Sequence, residues 1–247
     1  MSKWYSRFNT ENATVRIFFL PYAGGSASIY QDWTSQLPPG VEAVLIQLPG
    51  RANRFGEELI SKMPTLINQL FENIVEMTDL PYIIFGHSMG SRIGYQLIDF
   101  LKKNEYPLPV HFIASGSKAP HQKRHKSGSY LLPEEEFIQE IKRLDATPQE
   151  IIDNKELLNI CINILRSDFE VADYQSEIPN IKHNISFTLL FGLFDEEVCF
   201  DDIEEWKLHF ESDIDVILFN GGHFFINSHQ SKLISEINKI CHAIERG

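Results

Sequence analysis

The chain has 247 residues, 43% hydrophobic and 23% charged, an ordinary globular composition that argues against coiled coil, collagen-like repeat or long disorder. Its 34 acidic residues outnumber 22 basic ones, giving a formal net charge of −12, the wrong sign for general nucleic-acid binding. Cys161, Cys199 and Cys241 are far apart and odd in number; they make no C-x-x-C pair and fit a reducing compartment.

One domain, residues 1–247, is the expectation for this length, with core enough to need no disulfide or metal staple. Residues 1–10 hold Lys3 and Arg7 but no apolar signal segment. The longest apolar runs, such as 17–20 and 83–85, are too short to span a bilayer. A cytoplasmic monomer without membrane or nucleic-acid partners is expected.

In chain order, a β-rich run at 15–20 ends at Pro21, and Ile29, Tyr30, Trp33 and Leu37 follow at helical spacing. A second apolar run, 43–48, closes at Pro49-Gly50. Met63, Leu66, Ile67, Leu70 and Ile74 then form one helical stripe with Pro64 in its first turn. Residues 82–85 read as a buried strand, Ile93, Leu97, Ile98 and Leu101 as the next helix, and 110–114 as another strand. The repeated β-α-β order predicts an α/β fold with a mostly parallel central sheet and helices on both faces. The rhythm breaks between about residues 120 and 179. Phe137, Ile141 and Leu144 make one apolar stripe there, and Leu157, Cys161, Ile164 and Leu165 another. This stretch reads as an inserted helical lid at about 128–179. Strand and helix then alternate again through 185–191, 203–210, 216–219 and a last helix bearing Leu233, Ile237 and Ile240.

Gly86-His87-Ser88-Met89-Gly90 matches G-x-S-x-G between the 82–85 strand and a helix. A sharp strand-to-helix turn needs small flanking residues and lifts a serine hydroxyl to a helix N-terminus. Ser88 is therefore the candidate nucleophile. A serine needs a base to take its proton, and Gly221-Gly222-His223 after the 216–219 strand offers one in His223. His87 belongs to the turn itself, and His209, His229 and His242 lie in helical patterns. An acid between serine and base should orient the imidazole. Asp195 follows the 185–191 strand, with Glu196, Glu197, Asp201 and Asp202 as rivals. Acyl transfer also needs N–H donors for the oxyanion. Met89, after the nucleophile, is one; Ala23, in Pro21-Tyr22-Ala23-Gly24-Gly25-Ser26 after the first strand, is the other, with Tyr22 its competitor. No G-K-[ST] follows these glycines, so they are not a phosphate loop.

Taken together, Pro21-Tyr22-Ala23-Gly24-Gly25-Ser26, Leu48-Pro49-Gly50-Arg51, Phe85-Gly86-His87-Ser88-Met89-Gly90 and Gly221-Gly222-His223-Phe224-Phe225 resemble the type II thioesterases of nonribosomal peptide and polyketide synthesis. Residues 115–121 and Ser167-Asp168-Phe169 are also similar to segments of that family, and the likeness runs over nearly the whole chain. The resemblance implies an α/β-hydrolase fold with a helical lid. It implies hydrolysis of acyl thioesters on the phosphopantetheine arm of carrier proteins, clearing misprimed or stalled units. The family's nucleophile, acid and base fall on Ser88, Asp195 and His223, and its oxyanion donors on the backbone of Ala23 and Met89. No cofactor is implied; the phosphopantetheine belongs to the substrate. The family often carries a second glycine after the first-loop arginine, where this chain has Ala52-Asn53 after Arg51.

Two further features carry alternatives. His121-x-x-x-His125 has the spacing of metal ligands on one helical face, but it lacks the H-E-x-x-H glutamate and is flanked by Lys123, Arg124 and Lys126, so metal binding is not expected. The same basic run could meet an acidic carrier protein or a phosphate, or be a solvated loop. Arg51 and Arg54 could hold a phosphate or brace their loop. The rival functions are a medium-chain fatty-acyl thioesterase, a small-molecule carboxylesterase, and a non-catalytic binding protein on the same scaffold.

Overall fold

The computed structural model of the chain describes residues 2–144, 147 and 149–246. Its strands are β1 (Tyr5–Phe8), β2 (Val15–Leu20), β3 (Val41–Ile46), β4 (Tyr82–His87), β5 (His111–Ser115), β6 (Ser186–Gly192) and β7 (Ile214–Phe219). They lie in the order β1-β3-β2-β4-β5-β6-β7. β1 runs antiparallel to β3, and the other neighbours are parallel. The α/β class and parallel sheet agree with the β-α-β rhythm. β1 is the strand that pattern reading misses: four half-exposed edge residues carry no apolar run to detect.

The helices are α1 (Met63–Ile74), α2 (Met89–Lys103), α3 (Glu134–Leu144), α4 (Gln149–Asp153), α5 (Lys155–Ala172), α6 (Asp202–Glu205), α7 (Phe225–Ser228) and α8 (Gln230–Arg246). The segment Ala27–Gln36 winds as a 3-10 helix. The helix expected at 203–210 resolves into short α6 and a 3-10 turn, Trp206–Leu208.

Strand residues alternate between two cores. Phe18 and Leu20 of β2 join Ile84 and the apolar stripes of α1 and α2 on one face. Ile17 and Phe19 join Phe85, Tyr30, Trp33 and the Leu233–Ile237 face of α8 on the other. β2, β3, β4 and β5 are buried along their whole length, as strands covered on both sides must be.

Helices α3, α4 and α5 stand between β5 and β6 in the chain, and α3 and α5 build a third apolar cluster from Phe137, Ile141, Ile162, Leu165 and Phe169. This corrects one stripe. The inward face of α5 runs through Ile162, Leu165 and Phe169, whereas Leu157 is 46% exposed. Of the stripe Leu157, Cys161, Ile164 and Leu165, Leu165 is buried and Cys161 and Ile164 are half-buried; Leu157, in the first turn of α5, lies short of the part of the helix that packs inward.

Candidate active site

β4 passes into α2 through Ser88, whose φ of 54° and ψ of −114° lie in a sparsely populated region costing about 1–3 kcal/mol. The turn is clamped from both sides. Ser88 N–H donates to Ser115 O at 2.8 Å, and Ser91 Oγ donates to Gly86 O at 2.7 Å. The flanking glycines are required by contact. A Cβ on Gly86 would come 2.2 Å from the Gly90 backbone, and one on Gly90 would come 2.3 Å from Leu20 O. The hydroxyl thus sits at the N-terminus of α2, where N–H groups lack intrahelical acceptors.

Three separate strand ends converge there. His223, on the loop after β7, places Nε2 3.0 Å from Ser88 Oγ. Its Nδ1 lies 2.8 Å from Asp195 Oδ2, on the loop after β6. Asp195 Oδ1 accepts the Glu197 N–H at 2.8 Å. The Asp195 side chain is fully covered, and that of His223 is 12% exposed. Among the rival acids, Glu196 and Glu197 instead face Arg143. Asp202 faces Lys118.

Ala23 and Met89 line the same cavity as Ser88 and His223. Among the described residues the Ala23 N–H has no hydrogen-bond partner, and Met89 is the first residue of α2. The loop carrying Ala23 is held from beneath. Asp168 of α5 accepts the Gly24 N–H at 2.7 Å on Oδ2, and Arg51 Nη2 donates to its Oδ1 at 2.8 Å while Nη1 donates to Oδ2. Both side chains of this ion pair are buried. The sequence marks the segments containing Arg51 and Asp168 but carries no sign that they meet; 117 residues separate them, and no local pattern links them. Arg51 and Arg54 therefore brace their loop, Arg54 donating to Gln47 O and pairing with Glu57. Ala52, where the resembling family often has glycine, adopts φ +48°, so the left-handed bend persists in alanine.

His87 is fully buried behind the site. Its Nδ1 lies 2.9 Å from Ser115 Oγ, its Nε2 has no partner among the described residues, and its ring centroid is 5.2 Å from that of His223. Burial, reinforced by His223, pushes its pKa well below the usual histidine value, so it stays neutral and serves as packing.

The 121–126 run is an irregular turn rather than a helix, so His121 and His125 do not share a helical face. His121 bonds His209 and Glu205, Arg124 pairs with Asp173 and Lys126 with Glu140. Much of the basic run is thus neutralised inside the fold. Among the described residues no group of three or more His, Cys, Asp or Glu side chains is arranged to hold a metal, and no helix is long and apolar enough to cross a membrane.

The cavity's other walls come from Tyr22 and Phe224 beside the serine and from Ile141, Leu144, Leu165 and Phe169 of α3 and α5. Phe137, placed in the same stripe by its spacing, packs instead inside the helical cluster.

The family described as thioesterase domain matches residues 15–241. The chain is 32% identical over 238 residues to the gramicidin S biosynthesis protein GrsT of Aneurinibacillus migulanus, covering 95% of this chain and 92% of that protein. It is 29% identical over 242 residues to the thioesterase PikA5 of Streptomyces venezuelae, covering 95% and 84%. The solved structure of BorB, a type II thioesterase from the borrelidin biosynthetic cluster, superposes with a TM-score of 0.83 at 25% identity, over 97% of this chain and 96% of that one.

Proposed function

This chain belongs to the thioesterase domain family, and from that premise we propose that it hydrolyses acyl thioesters on the phosphopantetheine arm of carrier proteins, clearing misprimed or stalled units in nonribosomal peptide or polyketide synthesis. The observation that carries the reading is the hydrogen-bonded row from Ser88 through His223 to Asp195, at 3.0 and 2.8 Å, opening on a cavity with Ile141, Leu165 and Phe169 in its wall. Ser88 Oγ attacks the thioester carbon as His223 Nε2 takes its proton. The N–H groups of Ala23 and Met89 receive the developing oxyanion. Collapse of the tetrahedral adduct breaks the C–S bond, and the proton held by His223 goes to the departing pantetheine thiolate. Water, deprotonated by the same imidazole, then attacks the acyl-serine and releases the carboxylic acid and free Ser88. Asp195 fixes the His223 tautomer and stabilises the imidazolium. These steps draw on no metal or redox cofactor. The helices from 128 to 179 act as a lid whose α3 and α5 faces shape the acyl pocket.

The test compares hydrolysis of one acyl group presented on a carrier protein, on coenzyme A and as a p-nitrophenyl ester. Carrier-bound substrate is expected to have the highest kcat/KM. Preference for the coenzyme A thioester would favour a free fatty-acyl thioesterase, preference for the ester a carboxylesterase. No turnover of any of the three would point to a binding protein.

A further inference from the structure

Arg92 lies one turn into α2, about 6 Å along the helix from Ser88, and lines the same cavity. It is 97% buried (3% relative exposure). Its Nη1 donates to Tyr174 O at 3.1 Å and its Nη2 to Gln122 O at 2.8 Å. Among the described residues no carboxylate pairs with it. Asp173, the acid in its neighbourhood, is engaged by Arg124 through Oδ1 and by the Gly128 N–H through Oδ2. A guanidinium has five N–H donors, so two carbonyl bonds leave three without a partner among the described residues. Burial and the neighbouring Arg124 push its pKa down to about 10, which leaves it charged at neutral pH. Arg124 and Lys118 also line this cavity, but each has its own carboxylate, Asp173 and Asp202 respectively; among the described residues Glu197 is the carboxylate in the lining, and Arg143 holds it. Of these three cations, Arg92 is the one without a carboxylate partner among the described residues.

A buried cation without a carboxylate opposes folding, and a leucine or methionine would pack without that penalty. The remaining N–H groups, one on each Nη and the Nε–H, suit a carboxylate, which a guanidinium can bind through two parallel hydrogen bonds. We propose that Arg92 makes this pocket select acyl groups that end in a carboxylate, that is, half-thioesters of short dicarboxylic acids. The proposal rests on the thioesterase reading and names the acyl class for it. The phosphate of the pantetheine arm is the other anion of such a substrate. It lies a full pantetheine length from the reacting carbon, whereas Arg92 stands one helical turn along α2 from the serine.

The experiment uses the full-length protein and N-acetylcysteamine thioesters, which carry no phosphate. Two near-isosteric pairs are compared: succinyl with 4-methylpentanoyl, and glutaryl with 5-methylhexanoyl. At least one acid-ended member is expected to exceed its neutral partner about ten-fold or more in kcat/KM. The variant Arg92→Met should abolish that ratio, and Arg92→Lys should keep part of it. A residue that merely braced Tyr174 and Gln122 would lower both members of a pair alike and leave the ratio unchanged, which would overturn the proposal. Preference for the neutral member in both pairs by the native protein would overturn it without any variant, and would leave the thioesterase reading standing. Failure to cleave every thioester, free or carrier-loaded, would remove both.

Discussion

Arg51 and Asp168 form a buried ion pair that ties helix α5 to the loop carrying Ala23, because the same carboxylate accepts the Gly24 N–H. Helix and proposed oxyanion donor therefore share one anchor. Removing one partner strands a buried charge, so Asp168→Ala should cost about 3–5 kcal/mol of stability, read as a lowered midpoint in urea. The double variant Arg51→Met/Asp168→Leu should recover much of that stability without recovering kcat. Full recovery of kcat would mean the pair serves folding alone.

Ser88 and His223 should behave as one unit. Ser88→Ala and His223→Ala should each lower kcat by about 10⁴-fold or more, and the double variant should add little. Losses that multiplied would contradict a shared proton transfer. Mass spectrometry after a fluorophosphonate should place the adduct on Ser88. Asp195→Asn should leave the fold intact and lower kcat by about 10⁴-fold through the wrong His223 tautomer; an unchanged rate would move the acid role elsewhere.

The turn glycines should tolerate no side chain. At Gly86 a Cβ meets backbone at 2.2 Å, and backbone cannot rotate away as a side chain can. Gly86→Ala is expected to abolish both activity and cooperative folding. Gly56→Ala is the control, since nothing lies within 4 Å of the added carbon; its stability should stay within about 1 kcal/mol. Similar behaviour of the two variants in thermal unfolding would refute the packing argument.

If α3 and α5 form a lid, their amides should exchange with deuterium faster than those of β4, and slow when an acyl-pantetheine analogue binds. Enlarging the pocket with Ile141→Ala or Leu165→Ala, both of which line it, should shift preference toward longer acyl chains. Core-like protection without ligand, with chain preference unchanged, would make these helices a fixed part of the core.

Acid should destabilise the fold through buried histidines. Burial pushes His111 and His183 down to about 4 and His209 down to about 3 from 6.5. For a base whose folded pKa is lowered, the unfolded chain takes up protons first as pH falls. Stability should thus be level above pH 6.5 and decline below it, by up to about 1.4 kcal/mol per pH unit for each histidine. Both ring nitrogens of His183 lack partners among the described residues, so His183→Leu should make the fall in melting temperature between pH 6.5 and 5 shallower. An unchanged slope would show that His183 charges without cost.

The α/β class, the mostly parallel sheet, the strand-to-helix turn at Ser88 and the candidacy of Asp195 and His223 are legible in the chain, because each depends on short-range pattern. Continuous apolar runs mark strands covered on both faces. Glycines at fixed offsets mark the turn, and the loops after β6 and β7 carry their own Gly-Leu-Phe-Asp and Gly-Gly-His signals. The distances between those residues were not in the pattern. Tertiary structure alone decided that Ser88 and His223 meet at 3.0 Å across 135 residues, that Asp168 clamps Arg51 and Gly24, that Leu157 faces solvent, and that Arg92 is buried without a carboxylate among the described residues. Each of these depends on which elements pack together and at what rotation. A helix's apolar stripe limits that rotation to about a hundred degrees, and only contact with a neighbouring element fixes it within that arc.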